Sequence, residues 1–221
     1  MSEALESWHS ADYAAAWAGE DVIANLLELP RRLSTAIVAD AGIEVAHVID
    51  VGSGPGTYLE HFLQAFPAAR GTWTDSSEAM LELARERLGA YGDRVAYELV
   101  DAERLDESSL GPAEVVVSSR VLHHFSPESL ARVYRAVHGL LAPGGFFFNL
   151  DHVGAPGEWE QVYRRVRSQF TGPRTKRLAP HRHDYPLAPA DAHLGWARDA
   201  GFADPDTPWR TLYTALILAR R

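Results

Sequence analysis

Short, nearly continuous apolar runs alternate with helical stretches from Ala46 onward, and this alternation leaves the chain few folds to choose from. The runs are His47-Val-Ile-Asp-Val51, Gly71-Thr-Trp-Thr-Asp75, Arg94 to Val100, Ala113-Glu-Val-Val-Val-Ser118 and Gly145-Phe-Phe-Phe-Asn-Leu150. Between them, helices are predicted over Thr57 to Phe66, Ser77 to Leu88 and Pro127 to Leu141, the last stopped by Pro143-Gly144-Gly145. A strand that is apolar at successive positions must be covered on both faces, which is the condition of a parallel sheet with helices on either side. The tail differs. A helix over Ala190 to Ala200 ends at Gly201, and Phe202 to Trp209 and Thr211 to Ala219 read as strands with no helix between them. Such neighbours are predicted to form an antiparallel hairpin. Ahead of the sheet, Tyr13, Trp17, Ile23, Leu26, Leu27 and Leu33 recur near helical spacing, with Pro30 predicted to interrupt the helices.

Composition narrows the function classes. A 221-residue chain suits one domain. Its net charge of -9 disfavours general nucleic-acid binding, because phosphate recognition relies on Lys and Arg. The absence of cysteine removes disulfides, thiolate metal sites and thiol nucleophiles together, and no metal site is expected. The start, Met1 to Ala18, lacks the apolar core of a secretory signal, and no run nears the ~20 apolar residues that span a bilayer. A cytoplasmic protein without membrane or nucleic-acid partners is the expectation.

The chemistry begins at the end of the first run, Val48-Ile-Asp-Val-Gly-Ser-Gly-Pro-Gly-Thr57. Glycines 52, 54 and 56 permit a sharp turn that lets a ligand approach the backbone, and the helix that follows offers free N–H groups. A dinucleotide loop reads G-x-G-x-x-G and sets a diphosphate on the helix N-terminus. Here the spacing is G-x-G-x-G, with Thr57 where the third glycine would stand and Asp50 two positions before the first. A carboxylate there repels a diphosphate and attracts an ammonium group. The implied ligand carries an amine and no phosphate.

This stretch resembles motif I of the class I S-adenosylmethionine-dependent methyltransferases, (V/I)-(L/I)-(D/E)-x-G-x-G-x-G, and the resemblance continues in register from about His47 to the C-terminus. It implies a Rossmann-like α/β fold: a seven-stranded, mostly parallel sheet closing with an antiparallel hairpin, helices on both faces and an N-terminal helical cap. On that pattern residues 1–45 are the cap, 46–155 the cofactor-binding core, 156–189 an acceptor-side insertion, and 190–221 the final helix and hairpin. The cofactor implied is S-adenosylmethionine. Asp50, Gly52, Ser53, Gly54 and Gly56 would form its loop, with Ser76 and Met80 beside it. Asp75, ending the second strand about 20 residues on, would accept hydrogen bonds from the ribose hydroxyls; NAD enzymes place an acid similarly. Asp101 would pair with the adenine amino group and the N–H of Ala102 with a ring nitrogen. Ser119, in Ser118-Ser-Arg120, would meet the methionine portion, and Leu122-His-His-Phe125 resembles the LHH segment of small-molecule members. The Asn/Asp-Pro-Pro-Tyr/Phe tetrad of amide and amine methylation is absent, since Ser118-Ser-Arg-Val121 stands in its place.

The resemblance implies methyl transfer to a small-molecule acceptor, with oxygen favoured because imidazole and carboxylate bases are plentiful. A protein that holds the cofactor without turnover and an NAD-dependent oxidoreductase are the alternatives; the loop spacing and terminal hairpin oppose the second. Candidate bases are His124 first, then His183 beside Asp184, and Asp151, with His123, His152 and His181 near them. Arg164, Arg165, Arg167, Arg174, Lys176, Arg177 and Arg182 crowd a stretch with no acidic residue from Gln161 to His183. Arginine clamps a carboxylate or phosphate with two bonds, so this run reads as a site for an anionic acceptor or an acidic carrier protein, against a merely solvated helix face. Trans-aconitate-type members of the family are a precedent for carboxylate acceptors. Tyr13 and Trp17 are candidate pocket walls; Trp196, Trp209 and Tyr213 are expected in the core. The oligomeric state is not legible.

Overall fold

In the computed structural model, which describes residues 10–12, 21–171 and 185–221, the apolar runs assemble into one seven-stranded sheet. The strands are β1 (His47–Val51), β2 (Arg70–Asp75), β3 (Val95–Leu99), β4 (Ala113–Ser119), β5 (Leu141–His152), β6 (Ala203–Thr211) and β7 (Thr214–Arg220). Their spatial order is β3-β2-β1-β4-β5-β7-β6. The first five are parallel, and β7 runs antiparallel to both β5 and β6, as the helix-free spacing of the tail requires. The α-helices around it are α1 (Asp21–Asp40), α2 (Thr57–Ala65), α3 (Glu78–Leu88), α4 (Pro127–Leu140), α5 (Trp159–Thr171) and α6 (Ala190–Asp199).

Alternation along the central strands divides the core in two. Val48, Val115, Val117, Phe146, Phe148 and Leu150 face Leu27 and Val38 of α1, Tyr58 and Phe62 of α2, and Ala84 and Leu88 of α3. Ile49, Val116 and Phe147 face Leu130, Tyr134 and Val137 of α4 and Ala197 of α6. Both layers need apolar side chains, so the strands read as unbroken hydrophobic runs. Burying a side chain such as Phe147 or Phe148 contributes ~1.5–3 kcal/mol. Ser77 caps α3 by accepting the Met80 N–H, and Ser126 caps α4 by accepting the Ser129 N–H, with Pro127 at the first helical position. No helix among the described residues is long and apolar enough to cross a membrane.

Two boundaries differ from the sequence expectation. Pro30 does not interrupt the N-terminal helix but lies inside α1. Proline removes one N–H from the ladder, yet Leu27, Pro30, Ser34 and Val38 form a buried stripe, and Ser34 Oγ donates to the Pro30 carbonyl at 2.9 Å. Packing of that stripe outweighs the lost bond. The fifth strand begins at Leu141 rather than Gly145: Leu141 pairs with Ala113, and an irregularity between Ala113 and Val115 absorbs the Pro-Gly-Gly segment.

Candidate active site

β1 is flanked by β2 on one side and β4 on the other, so the sheet order reverses between β1 and β4. In open α/β sheets a crevice forms at that reversal, beyond the carboxyl ends of the strands. The glycine loop follows β1 there, and Ser119 and Arg120 end β4 beside it. Arg120 has φ 62°, an uncommon left-handed setting for a residue with a side chain, so backbone strain sits at the rim of the crevice.

The loop is fixed from beneath. Gly52, Gly54 and Gly56 all have positive φ, at 64°, 55° and 83°. A Cβ on Gly52 would lie 2.5 Å from a methyl of Val121, and one on Gly56 would lie 2.7 Å from Leu88 Cδ1. At both positions it is the fold's own packing, together with the backbone sign, that demands glycine. Gly52→Ala is therefore expected to cost ~2–4 kcal/mol, from left-handed strain plus overpacking. Thermal or denaturant unfolding checks this, and Val121→Ala in the same chain should recover the steric part but not the strain. The Trp73 indole N–H donates to the Gly54 carbonyl at 2.7 Å, and the Ser53 N–H donates to the Thr74 carbonyl at 2.8 Å.

Asp50 lies wholly buried under this loop. Its Oδ2 accepts the Ser53 hydroxyl at 2.6 Å and the Leu59 N–H at 3.1 Å, while Oδ1 has no hydrogen-bond partner among the described residues. Burial pushes its pKa up to about 7, against the two hydrogen bonds and the pull of Arg31. Held in this way, the carboxyl favours the fold only while protonated: that contribution is full below pH ~4 and lost as pH rises through 7. An ammonium group at Oδ1 would draw it back to its ionised form. The Ser119 Oγ, also shielded, has no partner among the described residues either. Asp50 and Ser119 lie toward the carboxyl ends of the neighbouring strands β1 and β4, the side on which an amine-bearing cofactor would bind.

Asp75, at the tip of β2, accepts the Gly54 N–H on Oδ2 at 2.9 Å and the Ser77 N–H on Oδ1 at 3.0 Å. It joins the loop to the start of α3 and stays partly exposed. Asp101 is exposed and accepts the Glu103 N–H at 2.9 Å, which turns the chain so that Ala102 is buried. Ser76 is exposed at the rim. Of the other loop candidates, the Ser53 hydroxyl donates to Asp50, and Met80, 2 % exposed, packs in the core beside the loop.

On the β5 side the histidines converge on Asp151. His123 Nδ1 lies 2.5 Å from Asp151 Oδ1, and the side chains of the pair are 1 % and 0 % exposed. The His123 N–H donates to Oδ2 at 3.0 Å and the His152 N–H to Oδ1 at 2.7 Å. Burial raises the Asp151 pKa, and these backbone bonds oppose the rise. His124, half-buried, has its ring centre 4.1 Å from that of His123, and the His152 ring lies 4.9 Å away on another side. Sequence reasoning ranked His124 above His123; only the fold shows that the carboxylate addresses His123. Asp151 itself does not face solvent, and its carboxylate is turned onto the His123 imidazole. Deeper still, His193 is buried against the Tyr134 hydroxyl at 3.0 Å, and desolvation lowers its pKa to about 4, so it is neutral near pH 7.

The aromatic contacts continue outward. The His152 ring centre is 5.1 Å from that of Tyr213, and the guanidinium groups of Arg164 and Arg167 lie over Tyr213 at 5.2 and 4.9 Å. Arg164 also pairs with Glu160 at 2.8 Å, one turn earlier on α5. Tyr213, expected to serve the core, thus links the arginine helix to the histidine cluster. Tyr13, Trp17, Arg174, Lys176, Arg177, His181, Arg182, His183 and Asp184 lie outside the described residues. Among those described, no group of three or more His, Cys, Asp or Glu side chains could hold a metal ion.

Comparison with known proteins agrees with this geometry. The family described as "Methyltransferase domain" matches residues 48–145. The chain is 31 % identical over 167 residues to the ubiquinone biosynthesis O-methyltransferase of Pseudomonas paraeruginosa, covering 75 % of this chain and 68 % of that protein. It is also 32 % identical over 105 residues to the reducing polyketide synthase Preu2 of Preussia isomera, spanning 45 % of this chain and only 4 % of that protein's length. Among solved structures, an O-methyltransferase family protein from Burkholderia thailandensis superposes with a TM-score of 0.71 at 23 % identity, covering 94 % of this chain and 59 % of that one; this likeness speaks for the fold alone. The chain belongs to the class I S-adenosylmethionine-dependent methyltransferases. S-adenosylmethionine is its cofactor.

Proposed function

We propose that the protein methylates a hydroxyl oxygen on a small anionic acceptor, with His123 taking the proton. The observation that carries this is the buried His123–Asp151 pair. Asp151 engages Nδ1 and orients the ring; in this reading Nε2 takes the acceptor's proton, and the carboxylate then stabilises the imidazolium that results. S-adenosylmethionine, when bound, supplies a methyl group already made electrophilic by its sulfonium. The remaining work is orientation and exclusion of water, and a dyad this buried serves both.

Residues 156–189 act here as the acceptor-side insertion. Arg164 and Arg167 sit over Tyr213, one ring removed from His152, where they can hold an acceptor's carboxylate or phosphate. The test is a panel of hydroxylated acceptors, each with and without an anionic group, assayed by transfer of radiolabelled methyl. Anionic members should be preferred. The double change Arg164→Gln, Arg167→Gln should raise their KM by roughly tenfold or more while leaving kcat within a few-fold, as expected for charge-assisted bonds made equally in ground and transition states. Equal turnover of neutral acceptors, indifferent to both substitutions, would remove the anionic assignment.

A further inference from the structure

α6 carries a histidine where its packing calls for an apolar side chain. Ala190, His193 and Ala197 are its buried residues, and their spacing of three and four puts them on one face. Ala190 belongs to the apolar cluster of Val153, Ala215 and Ile217, and Ala197 to the cluster that holds Phe147 and Ala219. Phe147, Asn149 and Asp151 point to that same side of β5, where Asn149 pairs with Ile217 and Asp151 with Ala215. The helix therefore sets an alanine at each end of this row and His193 between them, over the stretch that holds Asn149 and Asp151.

Asn149, Asp151, Tyr134 and His193 are all buried. Tyr134 of α4 stands edge-on to Phe147, with ring centres 5.5 Å apart, and sets its hydroxyl 3.0 Å from His193 Nδ1. The His193 ring is itself edge-on to Trp196 at 5.2 Å. Burial raises the pKa of the Tyr134 phenol, so it keeps a proton to donate. Asn149 is near enough to act on that phenol, yet neither atom of its amide has a hydrogen-bond partner among the described residues. The hydroxyl proton is then directed at His193 Nδ1, and a neutral imidazole that accepts on Nδ1 carries its own proton on Nε2. The titratable groups facing His193 are Tyr134 from α4 and Asp151 from β5. Those facing Asp151 are His123 and His124 from the segment after β4, His152 next to it and His193 from α6.

We propose that His193, set by Tyr134, is a positioning residue for the reaction: its Nε2–H is turned onto Asp151 and holds that carboxylate ionised and aimed at His123. This rests on the reading of Asp151 as partner to the base and extends it. One buried carboxylate is bracketed by two imidazoles, His123 to take the proton and His193 to remain a neutral donor.

The first measurement is made on the wild type. Nitrogen-15 NMR of labelled imidazoles at pH 7 should show His193, identified by its contacts with Tyr134 and Trp196, as the neutral form protonated on Nε2. A proton on Nδ1, or an imidazolium, would overturn the assignment. The second measurement follows the Asp151 carboxyl by carbon-13 NMR over a pH series. Losing a donor to the ionised form raises a carboxyl pKa, so His193→Phe should move the Asp151 midpoint up by about one pH unit, the size of a hydrogen bond to a charged group. His193→Gln keeps a neutral N–H donor and should bring the midpoint back to within about a third of a unit of the wild type. Tyr134→Phe frees the tautomer, and both forms of His193 should then appear in the nitrogen spectrum. An Asp151 midpoint indifferent to His193→Phe would overturn the assignment, because a residue that only fills space alters the melting temperature and not this titration. The wild-type spectrum decides the matter even if His193→Phe fails to fold. A full kcat in Asp151→Asn would overturn this inference together with the base, whereas an unmoved midpoint removes this inference alone.

Discussion

Asp75→Ala is expected to weaken S-adenosylhomocysteine binding by at least ~100-fold, because it removes two kinds of interaction at once. One is the anchor that the structure shows: Oδ2 holds the Gly54 N–H and Oδ1 holds the Ser77 N–H, so the carboxylate ties the glycine loop to the first turn of α3. Without it both N–H groups lose their acceptor and the loop loses its preorganisation. The other is the pair of ribose hydroxyl bonds that the family pattern assigns to this position. Asp75→Asn separates the two, since an amide oxygen still accepts one N–H but cannot match a carboxylate toward two hydroxyls. Calorimetric titration with S-adenosylhomocysteine checks both variants, alongside a melting curve to show that the fold survives. Unchanged affinity in Asp75→Ala would mean that the cofactor lies elsewhere.

Asp151→Asn should act on the other half of the site. An amide in place of the carboxylate can hold the wrong imidazole tautomer and carries no charge to stabilise an imidazolium, a loss that reaches ~10²–10⁴-fold in kcat where a buried carboxylate orients a catalytic histidine. Affinity for S-adenosylhomocysteine should stay within a few-fold, because Asp151 lies at the end of β5, two strands away from β1 and its glycine loop. Asp151→Ala should go further and cost ~3–5 kcal/mol of stability, since the N–H groups of His123 and His152 and the imidazole Nδ1 would all be left buried without an acceptor. Single-turnover rates and denaturant unfolding separate these effects. A full kcat in Asp151→Asn would remove the dyad from the chemistry and leave it a purely structural pair.

Much of this architecture is legible along the chain, and for a definite reason. Parallel strands covered on both faces must be apolar at successive positions, so Val115-Val-Val117 and Phe146-Phe-Phe148 announce themselves without a structure. Glycines that need positive φ cannot be replaced cheaply, so the spacing at 52, 54 and 56 marks the loop. The hairpin of β6 and β7 follows from a missing helix. Pro30 misled because a local rule about proline was outweighed by a buried stripe spread over three turns of α1. How Ser53 and Met80 turn was not legible for a related reason: adjacency to a motif says which residues are near a site, but not which way their side chains point.

By itself, then, the sequence determined the parallel sheet with its closing hairpin, the glycine loop and the acidic residues at the strand ends, because each is a local consequence of backbone sign, periodicity or spacing. The tertiary structure alone decided which histidine Asp151 addresses and that Tyr213 connects Arg164 and Arg167 to that cluster. His123 and Asp151 are 28 residues apart and belong to different elements. Partnership between such groups depends on distance and desolvation in three dimensions, and no residue pattern along the chain carries either.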